Sequence, residues 1–139
     1  MLRLREGALG HGLLHAQSTA DAPAAVLIHD AARPGLPAAV IERLLAALAD
    51  HPGAIPVLPV VDSLTAADGK LMGEPARREM LRRVQTPQAF RYDAILAAHR
   101  GWPGEPTAGD DAQIARAAGL DVALVDGDEA LHKLTYASD

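Results

Sequence analysis

Asp30 and Arg33 stand three positions apart in His29-Asp30-Ala31-Ala32-Arg33-Pro34, directly after an apolar run. An acid and a guanidinium at that spacing can cap the turn that follows the run. They can also face a ligand, with the carboxylate binding a hydroxyl or a magnesium-bound phosphate and the Arg fork gripping phosphate oxygens. Three other groups could carry chemistry: Asp62-Ser63, the stretch from Arg77-Arg78 through Thr86-Pro87-Gln88, and Lys133 with Thr135. Arg77, Arg78, Arg82 and Arg83 form either a solvated face or a phosphate clamp. Asp110-Asp111 reads as a helix start favoured by the macrodipole, or as a metal pair. The six histidines lack ligand spacing, and His29 beside an apolar strand reads as a satisfied buried histidine. No GxxxxGK[ST] or GxGxxG follows a strand, and Gly7, Gly10 and Gly12 have the wrong spacing for either.

These groups need a scaffold. Ala24 to His29 is short, apolar and rich in β-branched residues, the pattern of a strand buried on both faces of a parallel sheet. Its carboxyl end, where Asp30 falls, is the edge at which open α/β sheets bind ligands. Pro37 opens a helix with Val40, Ile41, Leu44, Leu45 and Leu48 on one face, and Pro52-Gly53 stops it. Ala54 to Val61 reads as a second strand. Pro56 and Pro59 cannot donate ladder hydrogen bonds, which suggests a sheet edge or a strand leaving the sheet. Residues 62–83 are polar, with a turn signal at Asp68-Gly69, and fit a protruding hairpin better than core. Thr86 to Phe90 reads as a turn, Tyr92 to Arg100 as a helix, and Asp110 to Ala118 as another helix capped by Gly119. Asp121 to Val125 is a last short strand. Residues 1–22 show no sustained period. The alternation gives an α/β fold.

The chain has 139 residues, 49% of them apolar, which suits one globular domain and argues against disorder. A formal charge of −5 with no basic run argues against a nucleic-acid partner. Cys is absent, removing disulfides, thiolate nucleophiles and Cys-based zinc sites. No window approaches the ~18 apolar residues of a membrane span, and the N-terminus is a poor signal peptide. The expectation is a soluble cytoplasmic domain with no membrane partner.

Taken in order, the chemical groups resemble one family. Val26 to Pro34, Pro59-Val60-Val61-Asp62-Ser63, Arg78, Leu81 to Phe90, Asp110-Asp111-Ala112 and His132 to Thr135 are similar to 2-C-methyl-D-erythritol 4-phosphate cytidylyltransferases. The pairing of HDAARP with a distant TPQ makes the resemblance specific, and it extends over residues 24–139. The wording of Arg82 to Phe90 and of Leu131 to Asp139 is most similar to forms fused to a 2,4-cyclodiphosphate synthase domain.

The resemblance implies a Rossmann-like nucleotidyltransferase sheet, incomplete here, with a protruding β-arm at residues 59–80 and an irregular segment at 1–23. It implies transfer of CMP from CTP to methylerythritol phosphate with release of pyrophosphate, in non-mevalonate isoprenoid biosynthesis. The implied cofactor is Mg2+, with Asp30 near it, and the implied assembly is a homodimer through the arm. Arg33 would contact the substrate's phosphate or diol region. Arg78, reaching across the dimer, and Lys133 would position the attacking phosphate oxygen. Ser63 and Thr86 would add hydroxyl donors, and Asp110 would contact substrate. The family's opening strand, its glycine-rich loop with an Arg and a Lys, and a ribose-binding Asp have no counterpart in residues 1–22. Gly109 replaces a Thr that usually precedes the paired acids. These departures imply an N-terminally truncated domain whose activity alone depends on the missing loop. The alternative is a non-catalytic remnant keeping only the arm and a substrate half-site. An unrelated α/β binding domain would instead leave Asp30, Arg33 and Lys133 apart.

Overall fold

A computed structural model describes residues 2–5, 24–103 and 111–135. The sheet is built around β2 (Ala25–Asp30), whose Val26 to His29 are all buried. β1 (Leu2–Arg5) pairs with β2 in parallel, so a strand stands where the sequence shows no period. β3 (Gly53–Pro59) also runs parallel to β2, but β7 (Gln88–Arg91) lies between them and is antiparallel to both. β8 (Val122–Asp126) pairs in parallel with the other edge of β3, and β6 (Arg82–Val84) continues the line of β7 along β3. The result is a mixed sheet in the order β1-β2-β7-β3-β6, with β8 on β3.

Two expectations change here. Gln88 to Phe90 are not a turn but a buried central strand. β3 is not an edge or a departing strand, because Gly53 pairs with both Phe90 and Val122, and Val57 with both Val84 and Asp126. Its prolines are tolerated by position. The Pro56 carbonyl accepts from the Gln85 N–H at 2.9 Å. In a strand the nitrogen of the same residue faces the same neighbour. The missing Pro56 donor therefore faces Gln85, in the segment between β6 and β7 that belongs to neither strand.

The strand residues alternate between two cores. Val26, Ile28, Ile55, Val57 and Phe90 face α2 (Tyr92–Arg100) and α3 (Asp111–Ala117), meeting Ile95, Leu96 and Ile114. Leu27, Ala54 and Ala89 face α1 (Ala38–Ala47), meeting Val40, Leu44 and Leu48. Helices cover both sheet faces, and this explains the continuous apolar run in β2. Gly119, at φ +81, ends the α3 segment as expected.

The polar excursion is a separate two-stranded sheet, β4 (Leu64–Asp68) with β5 (Leu71–Ala76), and almost every residue of it is exposed. Asp68 faces Leu71 across a two-residue turn, with Gly69 at φ +59 and no positive φ at Lys70. That is the pattern of a type II′ turn, in which Gly takes the first central position. A short 3-10 turn, Arg78–Met80, returns the chain to β6.

Phe90 is fully buried between β2, β3 and the α2–α3 layer. Phe90→Ala is expected to lower the unfolding free energy by about 3–5 kcal/mol, read from the shift in a urea denaturation curve. A loss under about 1 kcal/mol would contradict the central placement of β7.

Candidate active site

Three segments meet at the carboxyl edge of the sheet. The first is the end of β2 with its following turn, residues 29–36. The second is the approach to β7, residues 85–88, brought alongside because β7 runs against β2 and pairs Ile28 with Gln88. The third follows β8 through a 3-10 turn, Glu129–Leu131, to Lys133.

Asp30 is where they join. Its Oδ2 lies 2.8 Å from Lys133 Nζ, and its Oδ1 accepts from the Ala32 N–H at 3.1 Å. Its own backbone N–H donates to Thr86 Oγ1 at 3.0 Å, and its carbonyl accepts from the Arg33 N–H. Burial, the largest single influence, pushes the Asp30 carboxyl up, but the bonds from Lys133 and Ala32 and the charges of Lys133 and Arg33 outweigh it. The carboxyl is held below the usual carboxylate range.

His29 and Thr86 brace the same turn. His29 Nε2 lies 2.8 Å from the Arg33 carbonyl, an obligate acceptor, and Nδ1 lies 3.0 Å from Thr86 Oγ1. In the neutral ring Nε2 therefore carries the hydrogen, and the Thr86 hydroxyl donates to Nδ1 while its oxygen accepts from Asp30. His29 is the satisfied buried histidine its setting implied. The Thr86 hydrogen is occupied within the protein, so toward a ligand this hydroxyl offers a lone pair instead of the expected donor.

Arg33 donates from Nη1 to the Leu131 carbonyl, and Leu134 N–H donates to the Ala32 carbonyl at 2.9 Å, tying the first segment to the third. Burial lowers the Arg33 pKa, with Asp30 opposing. Its Nε is buried without a partner, which happens to no other buried side-chain nitrogen or oxygen among the described residues. An orphaned donor of this kind calls for an explanation, and a binding site supplies one.

Asp30, Arg33, Thr86 and Lys133 thus converge, which the unrelated-domain reading does not expect. Arg78 and Ser63 do not join them. Ser63 is exposed at the foot of the hairpin, and the Arg78 guanidinium donates to the Val61 carbonyl there. Asp110 lies outside the described residues. Its neighbour Asp111 is buried against His99 at 2.9 Å, with the Ala112 N–H capped by Gln88 Oε1, so Asp111 opens a helix as the macrodipole argument expects. Much of the arginine cluster is tied to main chain: Arg82 bonds the Glu79 and Leu81 carbonyls, and Arg83 bonds the Pro59 carbonyl and, through its other end, the Glu129 carboxylate. Sequence reasoning passes over Gln85, whose buried amide bonds Asp128 in both directions. The only available signal is an amide between two turn-forming segments.

Helices on both faces of a mixed sheet, with cations and an acid gathered at its carboxyl edge, define an α/β domain whose carboxyl edge is arranged for an anionic ligand. The family model for 2-C-methyl-D-erythritol 4-phosphate cytidylyltransferase matches residues 5–139, and the chain belongs to that family. It is 68% identical over 119 residues to a bifunctional IspD/IspF enzyme of Novosphingobium aromaticivorans, covering 86% of this chain and 31% of that protein. It is 54% identical over 114 residues to a 2-C-methyl-D-erythritol 4-phosphate cytidylyltransferase of Cereibacter sphaeroides, covering 82% of this chain and 50% of that one. The crystal structure of the Thermus thermophilus cytidylyltransferase superposes with a TM-score of 0.72 at 38% identity, over 83% of this chain and 57% of the other. The chain spans about a third to a half of the length of the curated relatives it matches.

Thr86→Val leaves the Asp30 N–H and His29 Nδ1 unpaired and is expected to cost about 1–3 kcal/mol of stability, while Thr86→Ser restores most of it; urea denaturation of the two variants checks this. Because the Asp30 carboxyl is depressed in the folded chain, its contribution is present above the unfolded value of about 3.9 and is lost as pH falls through the lower folded value. Lys133→Met is therefore expected to flatten the acid limb of the stability–pH profile below about pH 4, and an unchanged limb would remove Lys133 from the pair.

Proposed function

We propose that this chain forms the methylerythritol-phosphate side of a cytidylyltransferase site, in an enzyme transferring CMP from CTP to 2-C-methyl-D-erythritol 4-phosphate. The observation that carries the reading is the meeting of Asp30, Lys133 and Arg33 at one sheet edge, with the Arg33 Nε still lacking an acceptor. A phosphate monoester and a triphosphate repel each other, so the chemistry is mostly positioning plus charge compensation.

In the proposed reaction a phosphate oxygen of methylerythritol phosphate attacks the α-phosphorus of CTP. A P–O bond forms there, and the bond to the β-phosphate oxygen breaks as pyrophosphate leaves. Lys133, half exposed, has ammonium donors beyond the one on Asp30 to hold the attacking phosphate. Arg33 offers its fork to the substrate's phosphate or diol region. Thr86 acts through Asp30, whose backbone it holds.

Magnesium suits this site in a limited way. Among the described residues no group of three potential ligands is assembled, so a protein cage is not on offer. Mg2+ is commonly held by one carboxylate together with substrate phosphates and water, and Asp30 fits that role. When bound it would neutralise phosphate charge.

Arg78, Ser63 and Asp110 complete the reading. Arg78 and Ser63 sit on the arm, where Val61, Leu71, Met72 and Met80 are each about 70–80% exposed. Exposed apolar side chains on an otherwise polar arm suit a homodimer, in which Arg78 of a second copy would reach the substrate. Asp110, the residue preceding Asp111 in sequence, would contact the substrate. Among the described residues no helix is long and apolar enough to cross a membrane, and a cytoplasmic enzyme of small-molecule substrates fits the acidic chain. The 68% identity to a bifunctional enzyme lends the non-catalytic remnant no support.

Magnesium-dependent pyrophosphate release from CTP is expected only with methylerythritol phosphate present, and Lys133→Ala is expected to lower it by about 10²–10³-fold. Release indifferent to methylerythritol phosphate would sink the proposal. A folded chain that binds methylerythritol phosphate through Lys133 but releases nothing would establish the remnant instead.

A further inference from the structure

Gln85 is buried, whereas the three residues before it, Arg82 to Val84, are exposed. Its amide bonds a single backbone residue twice: Nε2 donates to the Asp128 carbonyl at 2.8 Å, and Oε1 accepts from the Asp128 N–H at 3.0 Å. A side-chain amide has one carbonyl and paired N–H groups, so it can take the place of a neighbouring strand for one residue. Gly127 lies so close that a Cβ there would stand 2.2 Å from Gln85 Oε1. Only glycine admits the amide at that position.

The location matters more than the bonds themselves. β8 ends at Asp126, and Gly127 makes the last main-chain bond to β3, donating to the Val57 carbonyl at 2.9 Å. Beyond it the chain leaves the sheet and turns toward Lys133. The bonds from Arg33 to Leu131 and from Leu134 to Ala32 tie that segment to the 31–33 turn, which is a loop outside the sheet, held to the end of β2 through Asp30 and His29. Arg83 reaches Glu129 at 2.7 Å, but both side chains are largely exposed, where ion pairs hold little. Arg43 donates to the Asp126 and Gly127 carbonyls from α1, and Gln85 is the buried side chain that ties Asp128, the next residue, to the approach of β7. Its neighbour Thr86 keys Asp30 to the same point.

We propose that Gln85 is a positioning residue, its amide setting the path of residues 127–133 so that Lys133 meets Asp30. What that pair does in catalysis rests on the function proposed above, but the positioning does not.

The test is the NMR signal of the Lys133 side chain, read at one neutral pH on the chain without substrate. Asp30→Asn breaks the pair and gives the reference position. Gln85→Leu is expected to move the signal toward that reference. A merely structural role would lower the unfolding midpoint and leave the Lys133 signal of the folded protein where it was. Gly127→Ala, which pushes the amide aside without removing it, is expected to move the signal the same way by less, and it decides the matter if Gln85→Leu does not fold. An unmoved Lys133 signal in a folded variant overturns the proposal while leaving the proposed reaction untouched. A moved signal supports the positioning role whether or not pyrophosphate is released.

Discussion

Everything at the carboxyl edge depends on β7 running antiparallel between β2 and β3. In a wholly parallel sheet, the neighbour of β2 would present its own carboxyl end beside Asp30. Reversing β7 presents its beginning instead, and so the residues just before it, Gln85 and Thr86, arrive at the ends of β2 and β8. Two polar side chains adjacent in sequence then bond two backbones that are far apart in the chain, at Asp30 and Asp128. Pro56 lies opposite this approach to β7, where its carbonyl accepts from the Gln85 N–H.

The parts of the fold that can be read from sequence are those in which local pattern and tertiary setting agree. The β2 run is apolar on both faces because helices lie on both, and α1 is legible through Val40, Leu44 and Leu48. β7 reads wrongly because Thr86-Pro87-Gln88 carries a turn signature that is genuine. The chain bends at Thr86, but the strand begins immediately after Pro87, and a four-residue strand is too short to show a period. The rule that sends β3 to an edge assumes an unbroken neighbour beside its prolines, and here the neighbour is broken opposite Pro56. β1 is four residues of alternating Leu and Arg, below the length at which alternation is distinguishable from chance.

For the site, resemblance names Asp30, Arg33, Thr86 and Lys133, and the fold brings these together. The residues alone could not do so, since an acid at 30 and a lysine at 133 carry no mark of their pairing. What neither route supplies is the division of labour around them. Thr86 has the chemistry of a ligand donor, yet its hydrogen goes to His29, because His29 Nε2 must donate to the Arg33 carbonyl and leaves Nδ1 as an acceptor. Arg78 and Ser63 stay on the arm, because the hairpin beside them has its own small sheet and shares no strand pairing with the main one.

The charge distribution follows the same logic. The chain is acidic overall, and its arginines are mostly fastened to carbonyl oxygens: Arg43 to Asp126, Arg91 to the end of α1, Arg82 to its own turn. Those bonds use guanidinium groups as braces for main chain and leave them little capacity for a ligand. Arg33 differs in that its unmet donor is buried, and Lys133 in meeting a single carboxylate at a half-exposed position. A folded protein rarely leaves a buried donor unpaired when a carbonyl is within reach. Arg33, with its buried unmet donor, and the half-exposed Lys133 sit beside the same acid, Asp30, and that juxtaposition distinguishes a binding edge from the structural bracing around it.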